Sequence, residues 1–113
     1  MSQMFRVFLA VGVMSAAATG ASAQTAAQIE AGQKVFAANK CSVCHSVAGT
    51  GNKKGPLDGV GTKLTADDIR QWIVSAPEMA AKAKAARTPA MKSFTLSKDD
   101  LDALVAYVQS LKK

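Results

Sequence analysis

Apolar residues recur at helical spacing in three stretches of the chain, and the strict alternation that marks a half-buried strand is not sustained anywhere. Thr25-Ala26-Ala27-Gln28 has the form of a capping box, after which Ile29, Gly32, Val35 and Phe36 fall on one face of a helix that should end near Asn39. Thr65-Ala66-Asp67-Asp68 opens a second helix that turns Ile69, Trp72 and Ile73 inward and is stopped by Pro77. Ser97-Lys98-Asp99-Asp100 opens the last, with Leu101, Leu104, Val105, Val108 and Leu111 at helical spacing. Acids stand in its first turn, and Lys112 and Lys113 at its end complement the helix dipole.

The connecting segments read differently. Ser46 to Lys63 holds Gly49, Gly51, Gly55, Gly59 and Gly61 as well as Pro56, a density that predicts a shaped loop with no regular element. Glu78 to Arg87 is rich in Ala and Lys and compatible with a helix, but it lacks an apolar stripe to bury. Pro89 makes Thr88 to Phe94 an extended or irregular stretch. With no internal repeat visible, the expectation is an all-α domain of three to four helices and long loops.

The first 23 residues stand apart. One positive charge at Arg6 precedes the apolar run Val7 to Ala18, and Ala21-Ser22-Ala23 is the small-x-small pattern that a signal peptidase cuts. A helix over that run would reach about 18 Å against a hydrocarbon core of about 30 Å, too short for a membrane anchor. Residues 1-23 are therefore expected to be a cleaved signal peptide, leaving 24-113 as one domain exported to the periplasm, without stable membrane insertion. A domain of about 90 residues is marginal unless a metal, a disulfide or a cofactor adds to its core. Its large rings are only Phe36, Trp72, Phe94 and Tyr107.

Loss of Arg6 with the leader lowers the formal charge from +6 to +5, so the exported domain is basic. Neither an Arg-rich helix nor an aromatic-flanked basic strand is present, which argues against nucleic acid as the partner. Steering toward an acidic protein face suits the charge better.

Both cysteines and the single histidine stand together as Cys41-Ser42-Val43-Cys44-His45. Structural zinc needs four ligands, and the chain has no second cluster to complete them. A thioredoxin-like redox pair would need a βαβ surround that is not legible. A disulfide between Cys41 and Cys44 would close too short a loop to stabilise much, and it leaves His45 unexplained. Covalent haem attachment accounts for all three residues. Cysteines three apart on a helical turn point the same way, so both sulfurs can add to two vinyl groups on one porphyrin edge, while His45 is aimed at the iron. A large flat apolar ring would also make up for the sparse aromatics.

The sixth iron position decides what such a site does. Met1, Met4 and Met14 leave with the leader, which narrows a thioether ligand to Met79 or Met91. Met91 lies 46 residues after His45 in the non-helical stretch Thr88-Pro89-Ala90-Met91-Lys92-Ser93-Phe94, which can cross the far face of the ring, and is favoured. Met79 and an open or lysine-filled site are the alternatives.

Taken together, residues 24 to 113 resemble the class I monohaem cytochromes c, the mitochondrial-type and bacterial group. The resemblance rests first on Cys41-Ser42-Val43-Cys44-His45, the family's Cys-x-x-Cys-His. It implies the cytochrome c fold wrapped around one covalently attached haem c, with Cys41 and Cys44 as thioether sites and His45 as proximal ligand. Gly55-Pro56-Leu57 is similar to the family's Gly-Pro-x-Leu, although the leucine here follows the proline directly. By that likeness the Pro56 carbonyl accepts a hydrogen bond from the His45 imidazole, fixing its orientation and raising its basicity. Gly32, Phe36 and Tyr107 are similar to the family's crossing of terminal helices, and Trp72 stands where an aromatic often lines the methionine side of the haem. Ser75-Ala76-Pro77 replaces the more familiar Asn-Pro, and the run Ala80 to Ala86 is longer than that pattern needs.

With His45 and Met91 both bound, iron has no vacancy for substrate, so the expected role is outer-sphere transfer of single electrons rather than catalysis. The partners would be an oxidase, reductase or dehydrogenase with an acidic docking face, steered by Lys40, Lys53, Lys54, Lys63 and Lys92 around a monomeric carrier. Two other roles fit the same residues: a haem subunit of a periplasmic dehydrogenase complex, or an open-site haem acting as a peroxidase or gas sensor.

Overall fold

The computed structural model describes residues 24–113. The expected signal peptide therefore lies outside the described residues. Five α-helices run in the order α1 Ala26–Ala38, α2 Val60–Lys63, α3 Ala66–Val74, α4 Ala76–Ala83 and α5 Lys98–Gln109, with a single 3-10 turn at Cys41–Val43. Each of the three long-range packing helices starts where a side chain satisfies an otherwise unpaired backbone N–H. Thr25 Oγ1 accepts from Gln28 N at 3.1 Å, and Ser97 Oγ from Asp100 N at 3.2 Å. Thr65 and Asp68 close a reciprocal capping box at 3.0 and 3.1 Å.

The fold is held by the crossing of α1 and α5. Ala103, Leu104, Val105, Ala106, Tyr107 and Val108 are buried in succession on α5, because that helix is covered by α1 on one side and α3 on the other. Gly32 lets the two backbones meet. A Cβ there would stand 2.5 Å from Tyr107 Cβ and would run into the Ala103 carbonyl. Beside it, the Phe36 and Tyr107 rings pack edge to face, 5.5 Å apart at 78°. Val35, Ile69 and Ile73 complete the core, with Ile29, Phe94, Leu96 and Leu101 packed against its margin.

Two expectations are corrected by the fold. The glycine-rich stretch is not without regular structure. Ser46–Val47 and Thr50–Gly51 form a two-stranded antiparallel hairpin, here β1 and β2, in the register Ser46 with Gly51 and Val47 with Thr50. The one-turn helix α2 follows, and its Gly61 N–H donates to the Leu111 carbonyl at 2.8 Å. Glycine is what permits these elements, since Gly51 and Gly59 adopt φ of +107° and +79°. Pro77, expected to end the second helix, instead stands in the first turn of α4, where its missing N–H costs nothing. α3 has already stopped at Val74, and Ser75 turns the chain with φ −137° and ψ 44°. The Ala/Lys-rich run is thus helical to Ala83 and packs on α3, while Lys84 ends it in a left-handed conformation.

Candidate functional site

The chain leaves α1 through Lys40, whose left-handed backbone (φ 55°, ψ 36°) turns it sharply into the 3-10 turn. There the Cys41 carbonyl accepts from both Cys44 N (3.1 Å) and His45 N (2.9 Å). One helical turn separates the two cysteines, so they share a face, both half-buried and both free thiols. Burial raises the Cys41 thiol above its ordinary pKa, opposed by a backbone hydrogen bond and reinforced by Cys44.

Asn52 holds this turn in shape, and the sequence reading missed it. Its backbone N–H lies 3.1 Å from the Ser42 carbonyl and 3.2 Å from that of His45, while its Nδ2 donates to Val43 O at 3.0 Å. Gly51 must be glycine here for two reasons. Its φ is positive, and a Cβ would collide with the His45 carbonyl. An Asn directly after a Gly at a hairpin end was the available signal, but the pairing itself is non-local.

The His45 imidazole is oriented by one bond, from Nδ1 to the Gly55 carbonyl at 3.0 Å. A carbonyl can only accept, so Nδ1 carries the proton and Nε2 keeps its lone pair. Burial lowers the His45 pKa, the Gly55 bond partly restores it, and the Arg87 cation lowers it further. The ring is held neutral, as a metal ligand must be. The acceptor expected from sequence was the Pro56 carbonyl, and the structure corrects it by one residue. Ser46 N–H donates to Gly55 O (3.1 Å) and Leu57 N–H to Ser46 O (2.9 Å), a parallel bridge that aligns Ser46 with Pro56. Successive carbonyls of an extended strand point to opposite sides, so Gly55 faces His45 and Pro56 faces away. Pro56 takes the position whose N–H the bridge does not use.

Met91 and Met79 are both half-buried, the first in the irregular stretch after α4 and the second on α4 itself. The Met91 stretch is tied down three residues later, where Phe94 N–H donates to the Ile73 carbonyl at 2.8 Å near the end of α3. Lys92 Nζ sits 5.5 Å over the Phe94 ring. Trp72 is half-buried on α3, between the buried Ile69 and Ile73. Among the described residues no group of three or more His, Cys, Asp or Glu is placed to hold a metal ion. Iron at His45 would therefore have to arrive in a macrocycle that supplies most of its ligands.

Two thiols on one turn and a neutral imidazole with a free Nε2, inside a small helical domain, define a protein that carries a porphyrin by thioether bonds. A family model, cytochrome c, matches residues 29–112, and the chain belongs to that family. No curated protein and no solved structure matches it. Its cofactor is haem c, covalently attached, and Cys41 and Cys44 fit the attachment motif. Membership supports a haem-based role in electron transfer. It also clarifies the one-residue displacement at Pro56: in Gly-Pro-x-Leu the accepting carbonyl stands two residues before the leucine, and here the residue two before Leu57 is Gly55. No helix of the described residues is long and apolar enough to cross a membrane.

Proposed function

We propose that this chain is a periplasmic carrier of single electrons, with His45 Nε2 and Met91 as axial ligands of the haem iron. The observation that carries the reading is the His45 Nδ1–H bond to Gly55 O, which presents Nε2 for coordination beside the two cysteines. When bound, haem supplies the one-electron Fe(II)/Fe(III) couple, and thioether ligation raises its potential relative to two histidines. Residues of the chain do the rest. Gly55 keeps the imidazole in one tautomer, Asn52 keeps the cysteine turn rigid, and the tether at Phe94 limits where Met91 can go. A filled coordination sphere leaves no place for a substrate, so the chain itself catalyses nothing.

Docking follows from the surface around the cysteine turn. Val43 is the one exposed large hydrophobic residue among those described, at 66%. Its carbonyl is bonded to Asn52, which brings the exposed Lys53 and Lys54 alongside, and Lys40 precedes the turn. An apolar spot flanked by cations suits a partner with an acidic rim, bound briefly. Export is supported by the charge, apolar run and Ala-Ser-Ala pattern of residues 1-23.

The test is the far-red absorbance of sulfur bound to ferric iron. It should vanish in Met91→Ala and persist in Met79→Ala. Loss of the band in Met79→Ala instead, or ready capture of carbon monoxide by the unaltered ferrous protein, overturns the His/Met reading.

A further inference from the structure

Arg87 has no part in attachment or ligation, yet it reaches the site. Its guanidinium lies against Gly55: a Cβ on that glycine would overlap Nη1 and the Cys44 carbonyl and stand 2.9 Å from Cζ. Gly55 is the residue whose carbonyl orients His45. The ion pairs among the described residues are Lys34 with Glu30 and Asp102 with both Arg70 and Lys98, so Arg87 is in none of them. Nor does the sequence contain an acid between residues 79 and 98. The charge is therefore not committed to a carboxylate of its own segment.

The position of Arg87 along the chain is equally informative. It stands four residues before Met91, and the second tether, Phe94 N–H to Ile73 O, stands three residues after. No helix or strand intervenes to stiffen the stretch between them. A strap without internal structure is positioned only by its ends, and fixing both removes most of the freedom that ordering Met91 would otherwise cost.

We propose that Arg87 is a positioning residue that pins the leading end of the Met91 strap onto Gly55, joining the strap to the His45 side and setting a positive charge beside the bond that orients the imidazole. This rests on Met91 being the axial ligand. Two consequences separate. The pin keeps Met91 from giving way to an outside ligand, and the cation disfavours the extra positive charge of ferric iron, raising the reduction potential, more so at low salt.

The experiment uses the haem-loaded protein and imidazole, a neutral ligand, titrated into the ferric form, with the potential measured in parallel. R87A should bind imidazole about tenfold more tightly than the unaltered protein and have a lower potential. R87K keeps the charge but loses the planar fork, so its potential should stay near that of the unaltered protein while its imidazole affinity rises. Unchanged imidazole affinity in both variants overturns the pin, and an unchanged potential in R87A overturns the role of the charge. M91A is the reference. If M91A itself binds imidazole no better than the unaltered protein, the ligand assignment fails rather than the role of Arg87.

Discussion

The crossing of α1 and α5 and the loops that hold the cofactor residues are built on opposite terms. At the crossing, side chains meet side chains: Gly32 admits Tyr107, Phe36 packs on it, and six consecutive residues of α5 are buried. Around Cys41 to Leu57 and Arg87 to Phe94, cohesion comes from backbone hydrogen bonds such as those of Asn52, Gly55 and Phe94, while Cys41, Cys44, His45 and Met91 are only half-buried. Burying a Val, Leu or Ile stabilises by about 1.5–3 kcal/mol, whereas one hydrogen bond nets about 1 kcal/mol. The helix pair can thus order on its own apolar contacts. The loops are organised to receive a ring and depend on it for their stability.

That contrast is broken or sharpened by three changes of decreasing effect. Replacing Cys41 and Cys44 together by Ser removes both thioether sites. The protein should then lose its cooperative thermal transition, and hydrogen exchange should show the Ser46, Asn52 and Leu57 amides unprotected, with residual protection confined to α1 and α5. Loops that stay protected in this variant would erase the distinction. Next, Gly32→Val places branched carbons where even a Cβ meets Tyr107, and it should cost about 3 kcal/mol in denaturant unfolding of the haem-loaded protein. A far smaller cost would mean that the crossing is loosely packed.

The smallest effect lies on the outer side of α5. Asp102 accepts from Lys98 Nζ at 2.7 Å and from Arg70 Nη2 at 2.8 Å, and these bonds, Lys98 first, hold its carboxyl below the ordinary value of 3.8. A lowered carboxyl pKa contributes stability that is fully present above the unfolded value and disappears as pH falls through the folded one. Asp102→Asn should therefore melt slightly below the unaltered protein at neutral pH, with the gap closing as the pH is taken below 3.8. A gap that persists in acid would assign the effect to packing instead of charge.

Features that depend on near neighbours were legible in the chain itself. The caps at Thr25, Thr65 and Ser97, the inward positions of α1, α3 and α5, the small residue at Gly32 and the Cys-x-x-Cys-His turn all follow from spacing and residue type, because each is settled within a turn or two of helix. Tertiary structure alone decided the rest. Gly55 rather than Pro56 faces His45 because a bridge between Ser46 and Pro56 sets the direction of the carbonyls. Asn52 became a brace for the cysteine turn, and Pro77 opened a helix it was expected only to prevent, once the chain had folded back on itself. Arg87 acquired its place against Gly55 across 32 residues of sequence. Periodicity and capping report on contacts a few residues apart, and which distant carbonyl or cation arrives at a site is determined only when the elements pack.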